Sequence, residues 1–199
     1  LAHDYQRGVR LILLLHVPAA AGLAVLSTPI IRLLYERGKF TADNTAIMAP
    51  LLAWFAIGMP FFAVTSLMIR AFYASKDTVT PVKFATVSFV SNVSLGWWLK
   101  DLLGARGLVI ASTVAVVVQA VLLQRRLGVA IPGLGFGGLW STLGKIILGT
   151  LAMVAVVEAG WYLVREIYGA EVIAVVGLIP LGAAVYAASE GLSTLVLDC

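Results

Sequence analysis

The chain has 199 residues, 61% of them hydrophobic and 12% charged, with a mean hydropathy of +1.00, which excludes a water-soluble globular domain. Its net charge of +4 does not mark a nucleic-acid partner, because the basic residues stand singly or in pairs at the ends of apolar runs rather than along one face. The one cysteine, Cys199, makes neither an internal disulfide nor a metal cluster, and no cofactor or metal is expected.

The first residues, LAHDYQRGVR, lack an initiating Met and lead straight into an apolar run, which implies a start inside a longer protein. About 20 apolar residues cross a bilayer core. Residues 11–31 contain no Asp, Glu, Lys or Arg, and neither do 44–69; weaker runs follow at 81–99, 107–124, 139–161 and 172–189. The expectation is an all-α, polytopic integral membrane protein with about six transmembrane helices. Because apolar runs recur to the end, none of them reads as a cleaved signal peptide.

The connections carry their own chemistry. In YERGKFTADNT, residues 35–45, Gly38 permits a left-handed turn, Thr41 is placed to cap the second helix, and Asp43 meets the positive end of its dipole. In RAFYASKDTVTPVK, residues 70–83, Thr80 is expected to cap the third helix with Pro81 in its first position, while Lys83 snorkels to headgroups. Asp77 has three readings: partner of Arg70 or Lys76, acceptor of backbone N–H bonds, or solvated loop acid. GLGFGG at 133–138 reads as an interfacial linker, since no strand precedes it and no acidic residue follows at the distance a dinucleotide loop needs.

Within the spans, His16, Asn92 and Gln119 must find partners away from lipid, and interhelical hydrogen bonds outweigh substrate contact as their reading. His16 precedes Pro18 and suits a kinked, hydrated helix end. Lys145 and Glu158 lie close enough to span ends to be interfacial. Small residues such as Ala20, Gly22, Gly144 and Gly149 suit close helix packing. No Ser/His/Asp set or carboxylate pair stands at catalytic spacing, so a covalent reaction is not expected. Trp97, Trp98, Trp140 and Trp161 fall near span ends, at headgroup depth. If the spans alternate, eight basic residues collect on the side of Arg7 and Lys76 against six on the side of Arg37, which puts 70–83 in the cytoplasm.

LLYERGKFTADNT, followed about thirty residues later by RAFYASKDTVTPVK, resembles the MurJ/MviN family of lipid II flippases, in the multidrug/oligosaccharidyl-lipid/polysaccharide exporter superfamily. The matching positions are Glu36, Arg37, Gly38 and Phe40 in the first loop, and Arg70, Phe72, Tyr73, Asp77, Thr80, Pro81 and Lys83 in the second. The resemblance implies part of a MATE-like two-lobe fold of fourteen helices. Residues 1–127 would supply four helices of the C-terminal lobe, 128–138 an interfacial linker, and 139–199 two additional C-terminal helices. It further implies a multi-pass protein of the bacterial cytoplasmic membrane that moves an undecaprenyl-pyrophosphate-linked glycan, lipid II, by alternating access. Its partners would be the preceding helices of the same protein and membrane lipids. The family's headgroup-binding arginines fall on helices outside this chain, so none is carried over. The family's last two helices line a groove for the prenyl tail. The sequence departs from the family in ending at LVLDC without a basic tail. The alternatives are a related drug or polysaccharide exporter and a non-transporting membrane scaffold.

Overall fold

The computed structural model describes residues 2–130, 139–168, 177 and 179–188. They form α1 (Ala2–Val25), α2 (Ser27–Tyr35), α3 (Ala42–Ala74), α4 (Val79–Leu103), α5 (Ala105–Ala130), α6 (Leu139–Tyr168) and the shorter apolar α7 (Ile179–Ala188). There is no strand among the described residues. Helices satisfy every backbone polar group within one segment, which a hydrocarbon solvent requires.

Four helices are long and apolar enough to cross a membrane, over Tyr5–Val25, Ala42–Ala74, Ala105–Val129 and Thr142–Tyr162. The expected third span, 81–99, lies in α4, which has the length at 25 residues but is diluted by Ser, Thr and Asn side chains. Of the expected sixth span, 172–189, the described part is residue 177 and α7, and the GLGFGG linker lies outside the described residues. The first apolar run is not one helix. It breaks at Leu26, between α1 and α2. Pro29 explains the break, since it has no N–H for the Val25 carbonyl and its ring crowds that turn. Pro18, by contrast, is carried inside α1.

The residues fall into two compact units, Leu1–His16 with Ile57–Trp140, and Val17–Ala56 with Ser141–Cys199. The core of the first joins Tyr5 and Val9 of α1, Val64, Met68 and Phe72 of α3, and Leu123 and Leu127 of α5, with Phe84 of α4 packed against it. The spacings 5/9, 64/68/72 and 123/127 are i, i+4 steps that line one face of each helix.

In the same unit α4 and α5 form an antiparallel hairpin joined by Gly104 alone. Ser88 Oγ donates to the Ala115 carbonyl at 2.9 Å and Asn92 Nδ2 to Ser112 Oγ at 3.1 Å. One turn further on, Gly96 faces Leu108. Residue numbers rise along one helix as they fall along the other, with 88, 92 and 96 on one stripe. A Cβ at Gly107 would overlap the Leu99 carbonyl, so this crossing requires glycine. Phe89, Val90, Val93 and Trp97 are exposed on α4. Such an arrangement, with small and polar residues inside and apolar ones outside, is the membrane pattern.

In the second unit Ile146, Met153 and Val157 are buried on one stripe of α6. A Cβ at Gly22 of α1 would stand 3.7 Å from Met153, ordinary contact that a small side chain would also allow, and Gly182 of α7 packs on Val157 and Met153. At Gly144 nothing among the described residues comes within 4 Å of the position of its missing Cβ.

Candidate functional site

The turn from α3 to α4 is built from two back-to-back caps. Lys76 adopts φ 61°, the left-handed conformation. Its N–H donates to the Tyr73 carbonyl at 3.0 Å, and the Asp77 N–H donates to the Phe72 carbonyl at 3.0 Å. These are the two bonds of a Schellman motif, which satisfies carbonyls left over at a helix end. Ser75 Oγ adds a bond to the Phe72 carbonyl at 2.9 Å.

Asp77 then starts α4. Its Oδ1 accepts the Val79 N–H at 3.1 Å and the Thr80 N–H at 3.0 Å. A bond from the Thr80 hydroxyl, that Thr80 amide, the Val79 amide and the charge of Arg126 hold the Asp77 carboxyl below the usual carboxylate range. Asp77 makes no ion pair with Arg70 or Lys76 among the described residues, so the backbone-acceptor reading is the one the structure bears out. Thr80 is correspondingly not the cap. The helix starts at Val79, which places Thr80 second and the buried Pro81 third. The physical reason is that a carboxylate is a stronger acceptor than a hydroxyl, and Pro in any of the first positions has no intrahelical bond to lose. Phe72 anchors the turn at 2% exposure, while Tyr73 is 51% exposed. Arg70 and Lys83 are also exposed.

The turn from α2 to α3 centres on Glu36. Its Oε2 accepts the hydroxyl of buried Thr45 at 2.8 Å and lies 3.4 Å from Arg32 Nε. One carboxylate therefore ties the end of α2 to the first turn of α3. Arg37 Nη2 donates back to the Leu33 carbonyl at 3.3 Å, another helix-end contact. Gly38 has φ 60°, as its place in the loop predicted. The Phe40 ring lies 6.1 Å from that of Tyr35. Asp43 sits in the first turn of α3, and Thr41 precedes that helix with its carbonyl accepting the Thr45 N–H at 3.1 Å.

The intramembrane polar residues separate into two kinds. Asn92 makes the interhelical bond to Ser112, and His16 Nδ1 donates to the Ile12 carbonyl one turn back at 3.0 Å. Gln119 is half-buried and makes no side-chain hydrogen bond among the described residues. Sequence reasoning missed the pair Tyr5 and Gln124, whose Oη and Oε1 lie 2.9 Å apart in the core. Separated by 119 positions, the two gave no local signal beyond being polar at the ends of apolar runs.

The family model described as Lipid II flippase MurJ matches residues 1–195. The chain belongs to the MurJ family. A probable lipid II flippase MurJ of Rhizobium meliloti (strain 1021) is 43% identical over 122 residues, covering 61% of this chain and 23% of the relative. One from Haemophilus influenzae (strain KW20) is 35% identical over 191 residues, covering 92% of this chain and 36% of the relative. A solved lipid II flippase MurJ in an inward closed conformation matches with a TM-score of 0.83 at 28% identity, over 99% of this chain and 40% of that one. The chain thus spans between about a quarter and about a third of the length of these curated relatives. As a MurJ-family chain it is an all-α, multi-pass membrane protein. Of the loop positions singled out in the sequence, Glu36, Gly38, Phe72, Asp77 and Pro81 take part in building the two turns, and Arg70, Tyr73 and Lys83 stand exposed beside the second.

Proposed function

We propose that this chain is part of a flippase that moves lipid II across the bacterial cytoplasmic membrane by alternating access. The observation that carries the reading is the family match over residues 1–195. A pyrophosphate headgroup needs a hydrated or cationic path, since unpaired charge in the hydrocarbon region costs at least several kcal/mol. Most Lys and Arg residues of this chain stand near helix ends, with Arg7, Arg10 and Lys145 in the outer turns of their spans, and His16 and Asn92 are satisfied locally. The preceding helices of the same protein supply the cationic cavity in this reading.

Residues 1–127 then complete a lobe, 128–138 link it to the remainder, and 139–199 provide two further helices for the prenyl tail. Glu36, Arg37, Gly38, Phe40, Phe72, Asp77, Thr80 and Pro81 keep the two turns stiff, so that each helix pair moves as a body. Arg70, Tyr73 and Lys83 meet cytoplasmic headgroups, and Gln119 is a polar group placed to meet a neighbouring helix or the substrate. The test is complementation: a bacterium depleted of its own lipid II flippase should grow when given the complete gene containing this segment. Failure to grow with the protein present in the membrane contradicts the reading.

A further inference from the structure

Between α2 and α6, within the second unit, lies a cavity of about 290 Å³ whose lining includes Thr28, Pro29, Arg32, Glu158 and Trp161. We propose that it binds a phosphate-ammonium zwitterion, the headgroup of a phosphatidylethanolamine taken from the surrounding leaflet. Its volume is close to the lower end of the range for small-ligand sites, about 300 Å³, so a headgroup fits and the acyl chains stay outside, against the helices. Arg32 offers the planar fork that matches phosphate oxygens. The Glu36 carboxylate, 3.4 Å from Arg32 Nε, fixes where that fork sits. Glu158 supplies the opposite charge on the α6 wall, where a carboxylate accepts the N–H donors of a primary ammonium. Trp161 is a residue type that settles at headgroup depth, and the Thr28 hydroxyl adds a second polar group to the α2 wall.

The pairing of charges sets the specificity. An anionic phosphatidylglycerol brings no cation for Glu158, and a phosphatidylcholine brings a cation without N–H donors. Binding is measured without any flipping assay, so this inference and the transport reading it accompanies fail separately.

The experiment is native mass spectrometry of the complete protein, delipidated in detergent and titrated with phosphatidylethanolamine, phosphatidylcholine and phosphatidylglycerol of identical acyl chains. Phosphatidylethanolamine should bind about tenfold more tightly than either other lipid, the weight of one charge-assisted hydrogen bond. Glu158→Gln, a change at an exposed position that leaves folding intact, should abolish the preference over phosphatidylcholine. Arg32→Gln should weaken all three lipids, which share the phosphate, with Arg32→Lys intermediate. Equal binding of the three lipids, or an unchanged preference in Glu158→Gln, overturns the proposal. Soluble glycerophosphoethanolamine should compete poorly; competition as effective as the lipid's assigns the cavity to a free zwitterion and overturns the lipid assignment.

Discussion

At Asp77 a single carboxylate serves as the join between two helices: its own N–H closes the end of α3 while its side chain opens α4. Asp77→Ala should therefore speed hydrogen exchange at the Val79 and Thr80 amides, with Asp77→Asn, still an acceptor, less affected. The folded-state pKa lies below the unfolded one, so the stabilisation is fully present above the unfolded value and is lost as pH falls through the folded value. Protection at those two amides, corrected for intrinsic exchange, should accordingly decline only in acid, below the ordinary carboxylate range. At Lys76, substitution by Gly should relieve the left-handed strain and stabilise the protein by about 1 kcal/mol, read as a higher thermal midpoint in detergent. These two residues also mark the reach of sequence reasoning. Gly38 was legible as a left-handed turn because its residue type advertises one, whereas Lys76 advertises nothing of the kind. Thr80 stood next to a proline and so resembled a cap, and only the backbone shows that the helix starts one residue earlier, with the Asp77 carboxylate accepting its first amide bonds.

Apolar length and freedom from charge identify helices, and α3, α5 and α6 were legible on that basis. What length alone does not reveal is where a helix breaks or which face it buries. The run 11–31 contains two prolines, and only Pro29 coincides with an end, because α1 absorbs Pro18 without stopping. In α4 the polar residues that made the span look weak are the stripe that meets α5, since Ser88 and Asn92 find their partners there. Glycines divide in the same manner. Gly107→Ala should push α5 off the Leu99 carbonyl and destabilise the hairpin by about 1–3 kcal/mol, as overpacking does. Gly144→Ala, with nothing near its Cβ among the described residues, should instead stabilise α6 by up to about 1 kcal/mol through helix propensity. Thermal unfolding of the two variants side by side checks the contrast, and equal effects would show that the crossing at Gly107 has been misread.

For the molecule as a whole, the distribution of charge carries topology. The excess of Lys and Arg predicts that 70–83 is cytoplasmic and 35–45 faces the other side, and single cysteines test this in a Cys199→Ala background. Lys39→Cys should react with an impermeant thiol reagent in intact cells and Ser75→Cys should not; the reverse pattern inverts the orientation. The two loop signatures made the family legible from sequence, because turn chemistry is local and dense in those segments. The substrate path was not legible, because most cations of this chain stand near helix ends and the chain spans only part of its relatives. The central claim is that this segment works in lipid II translocation only together with the rest of its protein. The most direct measurement is transbilayer movement of lipid II in liposomes containing either the complete protein or the 199-residue chain alone. Movement with the complete protein and none with the isolated chain is the predicted result; an inactive complete protein, or equal rates for both, would contradict it.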